Sequence, residues 1–458
     1  MTLTTNCAFL ENELLDAARL FKERPDSIVH AFRHADGVFY NAFEVDGKAY
    51  AFEDKAEAEN ELLFKRLERR FAKLRLYEIL SEKYGQAMPW GALTGIRPTK
   101  LAYTEQESGG DFVALFRQMH VCEENIRLVE AVLKTQEGIY EKRDGNTDFF
   151  VSLPFCPSKC AYCSFITAPI DKTRHFLPAY LHCLDKEIAA AAESVKTLRS
   201  LYIGGGTPFA LDTPHLRRVL EAVHPIASAV PKVEYTVEAG RPDVFSEEKL
   251  ALLKEFGVNR ICINPQTFSD ETLQKIGRRH TVADFYRAYE LSEKYGFLVN
   301  IDLIAGLTEE RVDEFARGVE RATETGADNI TVHCLSLKSG AKMKEEISYI
   351  ENEAVSDMVA CSRKILSEKG YLPYYMYRQK YQAGNNENVG WTKRGKACVY
   401  NVDVMEETAD NLAVGANAIS KRVFSAAGRI DRLASQKDLK TYMENIDEII
   451  AKKRKFFE

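Results

Sequence analysis

Three cysteines that fall within eight residues constrain this chain more than any other feature of its sequence. Cys156, Cys160 and Cys163 have the spacing C-x-x-x-C-x-x-C in the segment LPFCPSKCAYCSF. At this spacing, three thiolates from one loop can converge on a single inorganic centre. The fold must therefore present this loop so that the three side chains face one site.

Two kinds of inorganic centre fit the cysteine loop. A tetrahedral zinc site requires a fourth ligand, and the nearest later candidates are His175 and Cys183. A 4Fe-4S cluster held by three thiolates leaves one iron open to a small molecule. The loop directly follows the first predicted strand of an α/β region, at the edge where parallel sheets bind ligands, and this position favours the cluster.

From Asp148 onward, short apolar runs alternate with longer amphipathic ones, a pattern typical of repeated β-α units around a parallel sheet. The predicted strands lie near residues 149–153, 199–203, 233–237, 259–263, 298–303 and 329–333. Helical patterns fill the gaps between them. Two units are missing from a closed eight-stranded barrel, so we expect a partial, TIM-like (β/α)6 barrel or an open sheet.

Changes of pattern predict three domains. Residues 1–145 form an N-terminal α+β accessory domain, 146–336 the β/α core, and 337–458 a C-terminal α+β cap. In the first domain, Asp-Gly pairs separate apolar runs over residues 27–53 and predict a three-stranded meander. The remaining local predictions are helices at 11–23, 55–84, 352–369 and 436–455, strand material at 371–377, and a loop at AGNNENVGW.

Composition limits the partners and the compartment. The 458 residues carry a net charge of −6 and have a pI of about 6.0, so no general basic field attracts nucleic acid or an anionic membrane. No apolar run approaches the about 20 residues of a membrane span, and the N-terminus lacks a secretory pattern. We therefore expect a cytoplasmic protein, in which clustered cysteines bind metal rather than form disulfides.

Polar residues follow the ends of the next four predicted strands. They are Gly204, Gly205, Gly206 and Thr207 after the second strand, Glu238 at the end of the third, Gln266 and Arg278 after the fourth, and Asp302 in the fifth. The glycines allow close backbone approach and are expected to leave N–H and C=O groups free for a polar ligand. Because these strand ends meet at one mouth of the sheet, a ligand site is predicted there.

The cysteine loop, YIGGGTP, the glutamate after the third strand, the Gln and Arg that follow, and NIDLIAGL together resemble the radical S-adenosylmethionine (SAM) superfamily, in the group of the oxygen-independent coproporphyrinogen III oxidase. VEAGRPD, NPQTFSDETLQKIGRRHT and MYRQKYQAGNNENVGW are most similar to the HemZ-type branch of that group. The resemblance covers residues 148–335 for the common core and extends to GALTGIRPTK and to the C-terminal segment.

This resemblance implies the cofactors and the site residues. The three cysteines would ligate a 4Fe-4S cluster whose unique iron binds SAM, and electron transfer would release a 5′-deoxyadenosyl radical. The SAM-binding positions would be Gly205, Gly206, Thr207, Glu238, Gln266, Arg278 and Asp302, with Phe165 packed beside SAM. Tyr162 would pack over the cluster, and Glu238 and Tyr162 are the candidate catalytic residues. A second SAM is described for the oxidase, and Glu238 would then touch both molecules.

The implied reaction is the decarboxylation of two propionate side chains of coproporphyrinogen III to the vinyl groups of protoporphyrinogen IX, in haem biosynthesis. A flavodoxin- or ferredoxin-type donor would supply electrons. Related branches imply two alternatives, a haem-binding chaperone and a radical SAM enzyme that opens the haem ring. The first 145 residues do not resemble the N-terminal segment of the oxidase, so the tetrapyrrole substrate is the least constrained part of the prediction.

Several other residues have open interpretations. His333 is either a substrate or cluster contact or a histidine at the rim of the sheet. The candidate cations for propionates are Arg241, Arg278, Arg378 and Lys380. A tyrosine-rich patch beside Arg378 either stacks on a macrocycle or packs against the core; it consists of Tyr374, Tyr375 and Tyr377. Cys262 and Cys334 are predicted as buried apolar residues, and His280 as a surface residue.

Overall fold

A computed structural model describes residues 1–58, 60–95, 97–164, 168–336, 352–379, 385–426 and 428–458. The chain divides into two compact units, Met1–Glu130 and Ala131–Glu458. The predicted domain boundaries after residues 145 and 336 stay predictions. None of the helices in the described ranges is long and apolar enough to cross a membrane.

The first unit contains a four-stranded sheet. Its strands are β1 (Thr2–Thr5), β2 (Ser27–Ala35), β3 (Val38–Val45) and β4 (Lys48–Lys55), in that spatial order. Its helices include α1 (Glu11–Ala18), α2 (Glu61–Tyr84), α3 (Pro98–Glu107) and α4 (Phe112–Gln118). The predicted meander is confirmed as the antiparallel strands β2, β3 and β4. Strand β1, which is parallel to β2, was not predicted, because four residues are too few to show a periodic pattern.

Two Asp-Gly pairs form the turns of this meander. Asp36 and Asp46 have φ angles of 51° and 50°, and Gly37 and Gly47 follow with 72° and 80°. Turns with both central residues in the left-handed region match the twist of antiparallel strands. The sequence signal and the observed geometry therefore agree at both turns.

The second unit is built on a mixed sheet and has two further short strands. The strands are β5 (Asn146–Leu153), β6 (Phe155–Cys156), β7 (Ala168–Pro169), β8 (Thr197–Gly205), β9 (Glu234–Gly240), β10 (Arg260–Ile263), β11 (Leu298–Ala305), β12 (Asn329–Cys334), β13 (Leu372–Tyr377), β14 (Asn388–Thr392), β15 (Asp410–Val414), β16 (Ile419–Phe424) and β17 (Arg429–Ala434). Strands β6 and β7 pair only with each other among the described residues, and the others form one sheet.

Helices alternate with the strands through most of this unit. They are α5 (Glu123–Thr135), which crosses the division between the units, α6 (Ile170–Thr173), α7 (Leu177–Ala192), α8 (Thr213–Ser228), α9 (Glu247–Glu255), α10 (Asp270–Lys275), α11 (Val282–Glu293), α12 (Val312–Glu324), α13 (Asn352–Glu368), α14 (Val399–Glu406), α15 (Leu439–Glu444) and α16 (Ile446–Phe457). The predicted closing helix at 436–455 is two helices, with Asn445 between them.

The six predicted strands of the β/α core are confirmed as β5, β8, β9, β10, β11 and β12. They lie side by side in this order and are all parallel. All four residues of β10 are buried, as expected for a strand in the middle of a parallel sheet. The mixed α/β fold with a parallel core therefore agrees with the prediction, and its carboxyl edge carries the candidate site.

Strands from the C-terminal part of the chain extend both edges of this parallel core. Strand β14 is antiparallel to β12 and to β13, and β15 is parallel to β5. The prediction of a loop throughout AGNNENVGW is wrong for its last residues, because Asn388–Thr392 form the fully buried strand β14. Tertiary pairing outweighs the local preference of asparagine and glycine for turns in this segment.

Candidate functional site

The cysteine loop begins at the carboxyl end of β5 and is hydrogen-bonded to the loop after α10. The N–H group of Ala161 donates to the carbonyl of Ile276 over 3.0 Å. Cys156 and Cys160 are buried, whereas Cys163 is half-buried. The three thiols therefore lie at the edge of the sheet that the sequence predicts for ligand binding.

The three thiols of this loop influence one another electrostatically. The pKa of Cys156 is raised to about 11, mainly by burial and in smaller part by the neighbouring Cys163 and Cys160 thiols. The Thr207 hydroxyl opposes this shift by donating to Cys156 Sγ over 3.6 Å. Thiolates in such a group repel one another unless a metal centre or a cation neutralises them.

The two candidate fourth ligands for zinc have other partners. Cys183 lies in α7, where its thiol donates to the carbonyl of Met443 over 3.9 Å. His175 packs against the ring of Phe176 with centroids 4.1 Å apart. In the part of the chain that the structure describes, no group of three or more His, Cys, Asp and Glu side chains is arranged to hold a single metal ion.

The glycine turn after β8 packs directly against the cysteine loop. Gly206 N–H donates to the Leu153 carbonyl over 2.8 Å, and Thr207 N–H donates to the Phe155 carbonyl over 2.7 Å. A Cβ at Gly206 would lie 2.5 Å from the Phe155 carbonyl oxygen, so the approach requires glycine. The expectation that these N–H groups are free for a ligand is therefore wrong.

Glu238, two residues before the end of β9, has a half-buried carboxyl group that accepts from two donors. The Tyr202 hydroxyl donates to it over 2.7 Å, and Gly205 N–H donates as well, so that N–H group is not free either. A Cβ at Gly204 would lie 2.8 Å from the carboxylate, which explains the first glycine of the turn. The pKa of Glu238 is raised to about 7, because burial and the nearby Asp302 carboxylate raise it by more than the two donors lower it.

Gln266 connects the ends of β10 and β11 in a left-handed conformation, with φ of 71°. Its N–H group donates to the Asp302 carbonyl over 3.0 Å, and its carbonyl accepts from Ile304 N–H over 2.9 Å. The residue is 8% exposed, yet its Oε1 has no hydrogen-bond partner among the described residues. A strained backbone together with an unsatisfied buried oxygen is typical of a functional site.

Arg278 is a buried cation beside the cysteine loop and is 8% exposed. Its guanidinium donates to the Asn264 carbonyl, to the Tyr162 hydroxyl over 3.1 Å, and to Cys160. Burial lowers the pKa of Arg278, but Tyr162 and Cys160 more than offset this and raise it above its ordinary value. The guanidinium therefore keeps its charge beside the Cys160 thiol.

Tyr162, between Cys160 and Cys163, packs against an apolar cluster. The buried members of this cluster are Leu273, Ile276, Ile304, Leu307 and Leu335. Burial raises the pKa of Tyr162, so its hydroxyl stays protonated while it accepts from Arg278. Its predicted place over a cluster stays a prediction.

Asp302 on β11 is half-buried and lies beside His333 on β12. His333 Nε2 is 3.7 Å from Asp302 Oδ1, and His333 Nδ1 is 3.0 Å from the Tyr377 hydroxyl. His333 is therefore hydrogen-bonded within the protein and lies beside Asp302, and its contact with a substrate or cluster stays a prediction.

Arg241, which the sequence indicates as a candidate cation for propionates, is buried and paired within the protein. It is 2% exposed, its Nη1 donates to Ser158 in the cysteine loop over 2.5 Å, and its Nε and Nη2 pair with Asp243. Such a buried, paired guanidinium is not accessible to a propionate, so that interpretation is wrong. The alternation in VEAGRPD contains no signal for this contact, since Ser158 is 83 residues away.

Burial corrects the interpretation of His280 and bears on the open interpretation of the tyrosine-rich patch. His280 is 2% exposed and neither of its ring nitrogens has a partner in the described ranges, so the surface prediction is wrong. Tyr374 and Tyr375 belong to an apolar core cluster with Cys398 and Val402, which supports packing rather than stacking on a macrocycle. Arg378 is buried and donates to Asn385. Phe165 and Lys380 lie outside the described residues, and Cys262 and Cys334 are buried as predicted.

The donor set at this edge fits a 4Fe-4S cluster with SAM. Three buried polar atoms lack partners among the described residues, namely Asn264 Oδ1, Gln266 Oε1 and Arg278 Nε. The amide oxygens can accept from an amine or a hydroxyl, and the guanidinium can bind a carboxylate. SAM carries all three groups, and the three thiols supply ligands for iron. The assignment of individual residues to these groups stays a prediction.

Comparison with known proteins agrees with this chemistry. Residues 150–319 match the Radical SAM superfamily. The chain is 35% identical over 397 residues to the oxygen-independent coproporphyrinogen-III oxidase-like protein HemZ of Bacillus subtilis (strain 168), a match that covers 83% of this chain and 79% of that relative. It is 32% identical over 198 residues to the heme chaperone HemW of the same organism, which covers 41% of this chain and 50% of HemW.

Among solved structures, the fold is similar to that of coproporphyrinogen III oxidase (HemN) from Escherichia coli, a radical SAM enzyme. The TM-score is 0.53 at 21% identity, over 70% of this chain and 72% of that one, and this likeness shows the fold alone. Proteins of the superfamily use a 4Fe-4S cluster and SAM. The match to HemZ over most of both chains shows that this chain belongs to the radical SAM superfamily, in the oxygen-independent coproporphyrinogen-III oxidase-like group.

Proposed function

We propose that this chain is a radical SAM enzyme that decarboxylates coproporphyrinogen III to protoporphyrinogen IX. The observation that carries the proposal is the contact between Arg278 and Cys160. It places a buried guanidinium beside the cysteine loop, and no carboxylate among the described residues forms an ion pair with that guanidinium. The relative HemZ, whose name refers to coproporphyrinogen oxidation, supports the substrate.

In this proposal the chain binds and orients its cofactors with residues from one edge of the sheet. When bound, a reduced 4Fe-4S cluster supplies the electron that splits SAM into methionine and a 5′-deoxyadenosyl radical. Cys156, Cys160 and Cys163 bind iron, and the Thr207 hydroxyl orients Cys156 Sγ. Arg278 binds the carboxylate of SAM through its Nε, which has no partner among the described residues.

The carboxylates of β9 and β11 have separate roles in this proposal. Asp302, next to His333, accepts hydrogen bonds from the ribose hydroxyls. Glu238, whose pKa is raised to about 7, holds or releases a proton near neutral pH, and it is the group that a second SAM would meet. Gly204 leaves room for this carboxyl group because it has no Cβ, and Gly205 N–H donates to it.

The test is an anaerobic assay with reconstituted cluster, dithionite as reductant, SAM, and coproporphyrinogen III and haem offered in parallel. We expect 5′-deoxyadenosine and a product that is two carboxyl groups lighter. Cys160→Ala should abolish both products, whereas the matched control Cys122→Ala, at an exposed cysteine, should leave them unchanged. Absence of 5′-deoxyadenosine from protein with an intact cluster would contradict the proposal.

A second candidate function is haem delivery, and the similarity to the heme chaperone HemW favours it. In that case the same assay should give stoichiometric haem binding without a decarboxylated product. Ring opening, the third alternative, would appear as loss of haem absorbance with release of iron. Replacing dithionite with a reduced flavodoxin or ferredoxin tests the proposed class of electron donor.

A further inference from the structure

One buried arginine that the proposed function leaves without a role is bonded to the cysteine loop. Arg241 follows β9, and its Nη1 donates to Ser158 Oγ over 2.5 Å and to the Ser158 carbonyl over 3.4 Å. Ser158 lies midway between Cys156 and Cys160 in sequence. The contact therefore acts on the segment whose shape determines how far apart these two thiols lie.

A neighbouring carboxylate holds the guanidinium of Arg241 in its orientation. Asp243 accepts from Nε over 2.9 Å and from Nη2 over 2.7 Å, in a paired geometry. All three nitrogens of this 2% exposed side chain are therefore engaged within the protein. A bidentate pair of this kind restricts the plane of the guanidinium, so Nη1 stays directed at Ser158.

The turn that bears Arg241 also lies close to Thr207, which contacts the cysteine loop. Gly240 has a φ of 73°, and a Cβ there would lie 3.3 Å from the Thr207 methyl group. Thr207 in turn donates to Cys156 Sγ over 3.6 Å. The end of β9 thus meets the cysteine loop through Thr207 on one side and through Ser158 on the other.

Arg241 and Arg278 both contact the cysteine loop, but they differ in whether a donor nitrogen is left for a ligand. Arg278 contacts Tyr162 and Cys160, and its Nε lacks a partner among the described residues. Arg241 is paired with a carboxylate and inaccessible. Arg278 is therefore suited to a ligand, whereas Arg241 is suited to hold the protein itself.

We infer that Arg241 is a positioning residue for the cysteine loop, which clamps Ser158 and so holds the Cys156 and Cys160 thiols ready for the cluster before it is bound. This inference rests on the proposed cluster site. It does not depend on which substrate is used or on whether SAM is cleaved.

The first test uses the full chain without cluster, under anaerobic reducing conditions. Alkylation of Cys156 and Cys160 by iodoacetamide is followed by mass spectrometry, with the exposed Cys122 as internal standard. Two variants should each speed alkylation about tenfold. Arg241→Lys keeps the charge but loses the planar guanidinium that binds Asp243 and Ser158 together, and Ser158→Ala loses only the hydroxyl. The control Arg217→Gln breaks a similar paired contact, with Glu255 on the surface, and should have no effect.

The second test measures release of iron from the reconstituted protein to a chelator. Both loop variants should lose iron about tenfold faster than the parent and the control, with an unchanged KM for SAM in protein that still carries its cluster. Parent-like alkylation and iron release in Ser158→Ala and Arg241→Lys would overturn the inference. A raised KM for SAM with parent-like iron release would instead make Arg241 a ligand contact and would equally overturn it.

Discussion

Arginines are buried at both ends of the parallel sheet, and Arg260 at the amino end and Arg278 at the carboxyl end are neutralised differently. Arg260, the first residue of β10, is 1% exposed and donates to Asn300 and to the Glu234 carboxylate. Arg278, at the opposite end, donates to a carbonyl, a hydroxyl and a thiol, and no described carboxylate pairs with it. In both arginines Nε has no partner among the described residues. The difference is that Arg260 is paired with a carboxylate and Arg278 is not.

This difference separates a structural end of the sheet from a ligand-binding one. Glu234 also accepts from the backbone N–H groups of Val399 and Tyr400, at the start of α14, so the Arg260 pair connects the C-terminal part of the chain to the sheet. Burial of an unpaired charge is unfavourable, and it persists where a ligand supplies the counter-charge. Mutation of Arg260 should therefore mainly lower stability, whereas mutation of Arg278 should mainly weaken ligand binding.

The largest expected effect is a loss of stability at the amino end of the strands. Arg260→Met leaves Glu234 buried without its cation, so the free energy of unfolding should fall by about 3–5 kcal/mol. Urea unfolding of the apoprotein measures this loss. Adding Glu234→Gln to Arg260→Met should recover part of the stability, because it removes the orphaned charge. A loss below about 1 kcal/mol would contradict the structural role.

A smaller effect, on ligand affinity, is expected at the carboxyl end. Arg278→Met should lower the stability of the apoprotein by only about 1 kcal/mol, and it should weaken SAM binding about 10- to 100-fold, the range for a lost charge-assisted hydrogen bond. Equilibrium dialysis with the reconstituted protein measures the affinity. If Arg278→Met proved as unstable as Arg260→Met and still bound SAM normally, the distinction between the two ends would fail.

The smallest expected effect concerns pH. The pKa of Glu238 is raised to about 7 in the folded chain, so the folded state binds a proton more tightly than the unfolded state. Stability from this group is therefore present below pH 4.5, its ordinary pKa, and is lost as pH rises to about 7. Because solvent reaches part of the carboxyl group, the loss should be about 1–2 kcal/mol.

The variant Glu238→Gln isolates this contribution, since an amide oxygen can still accept from Tyr202. Urea unfolding measures the free energy of unfolding at pH 5 and pH 8. Between these two pH values, it should fall less for the variant than for the parent. Equal declines in both proteins would mean that Glu238 does not titrate in this range.

Local patterns sufficed for much of the fold. The six parallel strands and the meander were predictable because each buries a continuous or alternating apolar run that the sequence displays within a few residues. Strand β1 is too short for such a signal, and β14 contains Asn388 and Gly390, whose local preference is for turns. Both are strands because a neighbouring strand supplies their hydrogen-bond partners.

By itself, the sequence determined the cysteine loop, the parallel core and the polar residues at the carboxyl ends of its strands, because spacing and periodicity are properties of neighbouring residues. Only the tertiary structure decided that Arg241 binds Ser158 rather than a ligand, that His280 is buried, and that the turn N–H groups bind the cysteine loop and Glu238. Such contacts join residues far apart along the chain. Burial and pairing, rather than residue type, separate an arginine that holds the protein from one that remains available to a ligand.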